Sequence, residues 1–341
     1  MRELYFRVDT NDVVATGHIM RCLSIADAAR NLGITPVFIL ADDTGKRRVE
    51  ERGYRSIILD SKWDDLYSES DKLKEVIINN DIKVLVVDSY YASDEYFSKI
   101  SEITNVIYID DLGSFEYPVS GVVCYANYYD KFDYPKRFVD SKVNFYLGCD
   151  YVPLRKEFEK IEPKKIKENI ESVLLLSGGG DQNHALKTFV QSLSADFDFK
   201  IIAICGQYNT DYDELERTYS EDEHVKIYKS VDNMLELMQG ADLAISAGGT
   251  TLYELSACGT PTITYSFTDN QLDNVYQFEK DRLMKYAGDM RNGSVIEAIE
   301  RHINFYSSKE KRKEASLGLK KLVDGLGAKR LVEKIVRDYK L

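Results

Sequence analysis

At 341 residues the chain is too long for one ordinary core and suits two domains of about 150 residues each. Hydrophobic residues at 44% and charged residues at 30% exclude a mainly disordered chain, and no apolar run approaches the roughly 20 residues of a membrane-spanning helix. A formal net charge of −12 argues against a protein that coats nucleic acid. Any anion must then be met by backbone N–H groups and helix N-termini, which directs attention to glycine-rich turns.

In chain order, 4–8 predicts a strand and 18–32 an amphipathic helix ended by Gly33. Strand 36–40, a helix near 45–52 ended by Gly53, strand 56–59, helix 69–79, strand 84–87, helix 93–101 and strand 105–109 follow. Short strands are expected at 121–124 and 144–147. Charged residues around Pro163 then break the rhythm and predict a linker at 159–171. Strands near 172–177, 200–204, 225–228, 242–246 and 262–266 alternate with helices, and helices at 295–303, 309–323 and 328–339 close the chain. Apolar runs alternating with helices define an α/β protein of two doubly wound, Rossmann-like domains with mainly parallel sheets. The domains are expected at 1–158 and 172–341, the last helix packing back on the first. Such domains in tandem imply a central cleft, with ligands beyond the carboxyl ends of the strands.

Five cysteines (Cys22, Cys124, Cys149, Cys205, Cys258) are far apart, odd in number and without metal-ligand spacing. They read as free thiols of a reducing cytoplasm. Met1-Arg2-Glu3 runs into the first strand without an apolar signal core, so a cytoplasmic protein is expected.

Five constellations follow strands. After the first strand come Gly17, His18 and, one helical turn on, Arg21. His18 opens a helix, where the positive end of the dipole favours a neutral ring that can accept a proton. Alone, such a histidine could equally cap the helix or pack locally. Ser177-Gly178-Gly179-Gly180-Asp181-Gln182-Asn183 is an anion-facing turn with a side-chain N-cap from its Asp and Asn, but neither GxGxxG nor a P-loop. Ser246-Ala247-Gly248-Gly249-Thr250-Thr251, with Glu254 one turn into a helix, suits a pyrophosphate and, at Glu254, two ribose hydroxyls. Asp269-Asn270-Gln271 offers amides that both donate and accept. Asp88-Ser89-Tyr90 and Asp110-Asp111 end two strands; such carboxylates can orient a histidine, bind a hydroxyl or hold a metal, but no further ligands stand at metal spacing, so no metal is expected.

These motifs, with Arg7-Val8-Asp9, His18-Ile19-Met20-Arg21-Cys22 and Tyr151-Val152-Pro153-Leu154-Arg155, occur in an order that resembles one family. The chain is similar nearly end to end to the UDP-2,4-diacetamido-2,4,6-trideoxy-β-L-altropyranose hydrolases of pseudaminic acid biosynthesis. These are relatives of spore-coat polysaccharide proteins and MurG-like GT-B glycosyltransferases. The resemblance implies a GT-B fold, no cofactor and no metal, a UDP-sugar substrate, and hydrolysis at C1 with inversion and release of UDP. It implies two catalytic residues, His18 as the base that activates water and Tyr90 lying near the sugar or helping to position His18. It implies substrate contacts from Asp9, Gly17, Arg21, Asp88, Asp111 and Asn127 in the first domain. In the second they would come from Gly179, Gly180, Asn183, Ser246, Gly248, Gly249, Thr250, Thr251, Glu254, Asn270 and Gln271. Two departures, Ala15 for a glycine and Ser89 for a histidine, bear on which sugar is accepted. A glycosyltransferase using the same donor, with His18 deprotonating an acceptor hydroxyl, is the alternative. A non-catalytic UDP-sugar-binding subunit is a third reading. A monomer is expected.

Overall fold

The computed structural model describes the chain except residues 1, 12–15, 114–115, 139–141, 179–180, 182, 207–208 and 232. It divides into two compact units, one of Met1–Lys156 with Gly325–Leu341 and one of Glu157–Asp324.

The first unit is built on β1 (Glu3–Val8), β2 (Thr35–Leu40), β3 (Arg55–Ile58), β4 (Val84–Asp88), β5 (Asn105–Ile109), β6 (Gly121–Cys124) and β7 (Asn144–Leu147). Their order is β3-β2-β1-β4-β5-β6-β7, with every pair parallel. Between them run α1 (Gly17–Asn31), α2 (Lys46–Glu51), α3 (Leu66–Asn79), α4 (Asp94–Ser101) and the single turn α5 (Tyr134–Arg137). Strand β4, Val-Leu-Val-Val-Asp, is buried at every position, as a strand covered on both faces must be. Tyr5, Val37, Leu85, Val87, Phe97 and Tyr108 belong to one buried cluster of this unit.

The second unit holds β8 (Ser172–Leu176), α6 (Ala185–Asp196), β9 (Lys200–Cys205), α7 (Tyr212–Tyr219), β10 (Val225–Lys229), α8 (Met234–Gly240) and β11 (Leu243–Ala247). It continues with α9 (Thr251–Cys258), β12 (Thr262–Ser266), α10 (Leu272–Lys280), β13 (Lys285–Asp289), α11 (Ile296–Tyr306) and α12 (Lys309–Leu322). The parallel sheet runs β10-β9-β8-β11-β12-β13. Strand β13 was not expected. Its sequence, Lys-Tyr-Ala-Gly-Asp, is half-buried throughout and lacks the apolar run that marks the inner strands.

The final helix α13 (Gly327–Tyr339) belongs to the first unit. Its apolar stripe, Leu331, Val332 and Ile335, is buried there, and it packs on α1. A Cβ on Gly327 would stand 2.2 Å from the Val152 carbonyl oxygen, so only glycine allows this approach. Tyr339 donates to the Ser120 carbonyl (2.7 Å), and Arg2 Nη1 reaches the Leu341 carbonyl (3.4 Å). Residues 159–171, read from the sequence as a linker, fall within the second unit and are tied to it. Lys164 Nζ donates to the carbonyls of Met238 (3.3 Å) and Gln239 (2.6 Å) at the end of α8. The buried Arg312 guanidinium takes the Lys167 and Glu168 carbonyls at 2.8 and 2.9 Å. A charged stretch read as a linker is thus fixed by two cations that cap carbonyls.

Both sheets reverse their winding once, between β1 and β4 and between β8 and β11. In such sheets the crevice beyond the carboxyl ends of those two strands is where ligands bind.

Candidate active site

At the first reversal, α1 follows β1 and brings His18 beside Asp88, the last residue of β4. The register pairs Val8 with Asp88, which puts this carboxylate under the first turn of α1. His18 Nδ1 stands 2.5 Å from Asp88 Oδ1. An ionised carboxylate only accepts, so Nδ1 carries a proton, and in the neutral ring Nε2 keeps its lone pair. Arg21, one turn along α1, donates through Nε and Nη2 to Asp88 (2.5 and 2.6 Å) and through Nη1 to Asp111 (2.6 Å) and the Tyr125 hydroxyl (2.7 Å). Burial alone would raise the Asp88 carboxyl, but Arg21 and His18 outweigh it and hold it well below the ordinary carboxylate range. With a neutral His18, one cation thus faces two carboxylates. Such an arrangement can present a ring nitrogen as a base, oriented by a carboxylate that a cation in turn fixes.

Tyr90 packs edge-on against the His18 ring, centroids 4.5 Å apart, and donates to Asp111 Oδ2 (3.1 Å). Desolvation and the Asp111 charge push its phenol far above its ordinary value, so Tyr90 acts as a donor. His18 is only 6% exposed, more enclosed than a position at the mouth of a cleft implies, because Tyr90 and the Asp88–Arg21 pair surround it. It still lines a cavity of about 10 Å³ with Asp9, Trp63, Asp88, Ser89, Tyr90 and Tyr91. A wider depression over Asp43, Lys46, Arg47, Glu50 and Glu51 is charged helix surface without converging catalytic groups.

The other expected residues of the first unit have distinct places. Asp9 pairs with Arg7 and accepts from Ala41 N (2.8 Å), while Arg7, fully buried, also makes a two-pronged pair with Glu69 at 2.6 and 2.8 Å. The Asp9 oxygens therefore hold the backbone at the cavity wall. Gly17 is exposed, with nothing within 4 Å of a Cβ placed on it, so packing does not require glycine there. Asp110, next to Asp111, turns inward and accepts from Leu112 N, Gly113 N and the Tyr134 hydroxyl (2.9, 2.9 and 2.7 Å). Asn127 is half-buried just past β6. Ala15 lies outside the described residues.

At the second reversal, β11 ends in Gly248-Gly249 and α9 begins. A Cβ on Gly248 would stand 2.5 Å from Val275 Cγ1, whereas one on Gly249 meets nothing within 4 Å. The first glycine is thus demanded by α10 and the second leaves open space. Asn274 Nδ2 donates to the Gly248 carbonyl (2.9 Å) and its Oδ1 accepts from Tyr253 (2.8 Å), fixing the turn. Thr250 makes no side-chain cap, so the amino end of α9 is not closed by its own residue. Thr251 and Glu254 are half-buried in its first turn, and Ser246 is buried, donating to the Ala247 carbonyl (3.1 Å). Asn270 is exposed with its oxygen held by Thr268 (2.6 Å), and Gln271 Oε1 accepts from Phe267 N (3.0 Å).

Beyond β8, Asp181 supplies the side-chain cap expected of this turn. Its carboxylate takes Ala185 N and Leu186 N (2.8 and 2.9 Å) and caps α6. Asn183 is exposed, and Gly179 and Gly180 lie outside the described residues. Sequence reasoning missed Trp63, Tyr91 and Tyr125 around His18. The one available signal was that Trp63 is the only tryptophan of the chain. All five cysteines are buried free thiols. Among the described residues no group of three or more His, Cys, Asp or Glu is arranged to hold a metal, and no helix is long and apolar enough to cross a membrane.

The two sheets and their helices define the GT-B class of fold. The structure aligns with MurG of Acinetobacter baumannii at a TM-score of 0.74, over 99% of this chain and 100% of that one, at 10% identity. Residues 173–326 match the glycosyltransferase family 28 C-terminal domain. The UDP-N-acetylglucosamine–N-acetylmuramyl-(pentapeptide) pyrophosphoryl-undecaprenol N-acetylglucosamine transferase of Campylobacter hominis is 28% identical over 61% of this chain and 59% of its own length. The spore coat polysaccharide biosynthesis protein of Bacillus subtilis is 25% identical over 56% and 57%. The chain thus spans less than two thirds of these relatives, and its second unit is similar to the C-terminal domain of family 28 glycosyltransferases.

Proposed function

We propose that the protein uses a UDP-sugar as glycosyl donor and that His18 deprotonates the oxygen that receives the sugar. The observation that carries this reading is the His18–Asp88–Arg21 chain of contacts, which leaves Nε2 as the proton acceptor. The acceptor oxygen attacks C1, the bond from C1 to the β-phosphate oxygen breaks with inversion, UDP leaves with the electron pair, and the proton passes to His18. The open space at Gly249 and the uncapped amino end of α9 suit the charge that develops on the diphosphate. Glu254 suits the ribose hydroxyls, and Asn270 and Gln271 the diphosphate or the sugar. The match to glycosyltransferases supports a hydroxyl acceptor.

A second reading makes water the acceptor, so that the protein hydrolyses a UDP-sugar such as UDP-2,4-diacetamido-2,4,6-trideoxy-β-L-altropyranose. It is favoured by the narrow pocket at His18, which has room for a water molecule. The test is UDP release from a panel of UDP-sugars, with and without added hydroxyl acceptors. Release that requires an acceptor means transfer. Release in buffer alone, matched by free sugar, means hydrolysis. Undiminished turnover in His18→Asn rejects His18 as the base.

A further inference from the structure

The cavity beside His18 has an aromatic wall that no step above employs. Trp63, just before α3, meets Tyr91 edge to face, with ring centroids 5.1 Å apart and planes at 89°. Tyr91 N donates to Ser89 Oγ (3.1 Å) and Tyr108 donates to the Ser89 carbonyl (3.0 Å), which hold the turn after β4 in place. Trp63 is half-buried and Tyr91 exposed, whereas Asp88 is buried, so the two rings form the solvent side of the pocket lining and Asp88 the inner side. The pocket between these rings and His18 is narrow and half open.

We propose that Trp63, braced by Tyr91, determines which oxygen nucleophile reaches His18, by excluding acceptors larger than water. The inference rests on the hydrolytic reading. The wall shapes the acceptor pocket and makes no bond to the reacting atoms, so Trp63 is a specificity-determining residue. Removing the indole should let a small alcohol compete. Its hydroxyl oxygen then attacks C1, the C1–O bond to UDP breaks, and the alcohol proton goes to His18, giving an alkyl glycoside in place of free sugar.

The experiment incubates full-length wild type, Trp63→Ala and Trp63→Phe with a UDP-sugar in buffer containing glycerol. It measures UDP release and the ratio of glyceryl glycoside to free sugar. The ratio is independent of how much protein is active, so a loss of folded enzyme does not move it. Wild type and Trp63→Phe should yield free sugar, and Trp63→Ala should raise the ratio by about tenfold or more, the effect of a small change in pocket size on discrimination. Tyr91→Ala should raise it in the same direction. An unchanged ratio in both alanine variants, with hydrolysis intact, overturns the gate and leaves the hydrolytic reading standing. If wild type releases no UDP without an acceptor, that reading and the gate fall together. Because Trp63 is the only tryptophan, its emission supplies a second readout. Adding the UDP-sugar should shift it more than adding UDP, and equal shifts count against the proposal.

Discussion

Replacing Asp88 by asparagine is the sharpest probe of the site, because it keeps the size of the side chain and removes its charge. Asp88 accepts from His18 Nδ1 and twice from Arg21, all within 2.6 Å. An asparagine has one oxygen for three donors. If that oxygen turns to Arg21, the amide NH₂ faces His18 and requires the lone pair of Nδ1, which moves the ring proton to Nε2 and blocks the base. If it turns to His18, the amide confronts the donors of Arg21. The general base contributes about 10² to 10⁴ in rate, or roughly 3 to 5 kcal/mol, and most of this should be lost from kcat. Arg21 keeps Asp111 and Tyr125. The stability cost is therefore about 2 kcal/mol, the scale of one charge-assisted hydrogen bond, instead of that of an orphaned buried charge. For a unit of this size that lowers Tm by about 4 to 8 °C. UDP release under saturating donor and a calorimetric melt measure the two effects. A folded Asp88→Asn protein with a kcat close to wild type refutes the orientation argument.

The same carboxylate predicts an acid limb of stability. Its folded pKa lies well below the value near 4 of an unfolded aspartate. Its contribution is therefore complete above about pH 4 and is lost as the pH falls further toward the folded value. Urea midpoints should drop on acidification below that point, and Asp88→Asn should flatten the drop. Gly248→Ala should destabilise the second unit by about 1 to 3 kcal/mol, since its Cβ would overlap Val275, while Gly249→Ala should leave the melt unchanged. UDP affinity by calorimetry should fall in Gly249→Ala if the open space there receives the diphosphate, and equal affinity to wild type counts against that role. Gly327→Val should lift α13 off the first unit and lower its melting temperature, because even a Cβ would overlap the Val152 carbonyl.

The inner strands were legible because both faces of each are covered, which leaves runs such as Val84–Val87 with no polar residue to interrupt them. Strand β13 was not, since its five residues are half-buried and carry no apolar run to mark them. The sequence also marked His18 and three nearby carboxylates, Asp88, Asp110 and Asp111, without showing which one serves the ring. That choice depends on strand register. Asp88 sits opposite Val8, while Asp110 is drawn inward by two backbone amides and Tyr134. The glycine turn after β8 read as an anion-facing turn with a side-chain cap, and Asp181 makes that cap on the amides of α6. Helix capping and ligand binding use the same residue types, and one-dimensional patterns do not separate them. Trp63 and Tyr125 stand 45 and 107 positions from His18 in the chain, and only the packed sheet brings them near.

The contact of Arg2 with Leu341 has a practical outcome for dissecting the molecule. In linear order the first unit is interrupted by the whole of the second, so a fragment of residues 2–156 would expose the side of α1 that α13 covers and would tend to aggregate. A circular permutant with the old ends spliced by a short peptide and a new opening at 156/157 makes each unit one uninterrupted stretch. Either half could then be produced by itself without severing α13 from its neighbours.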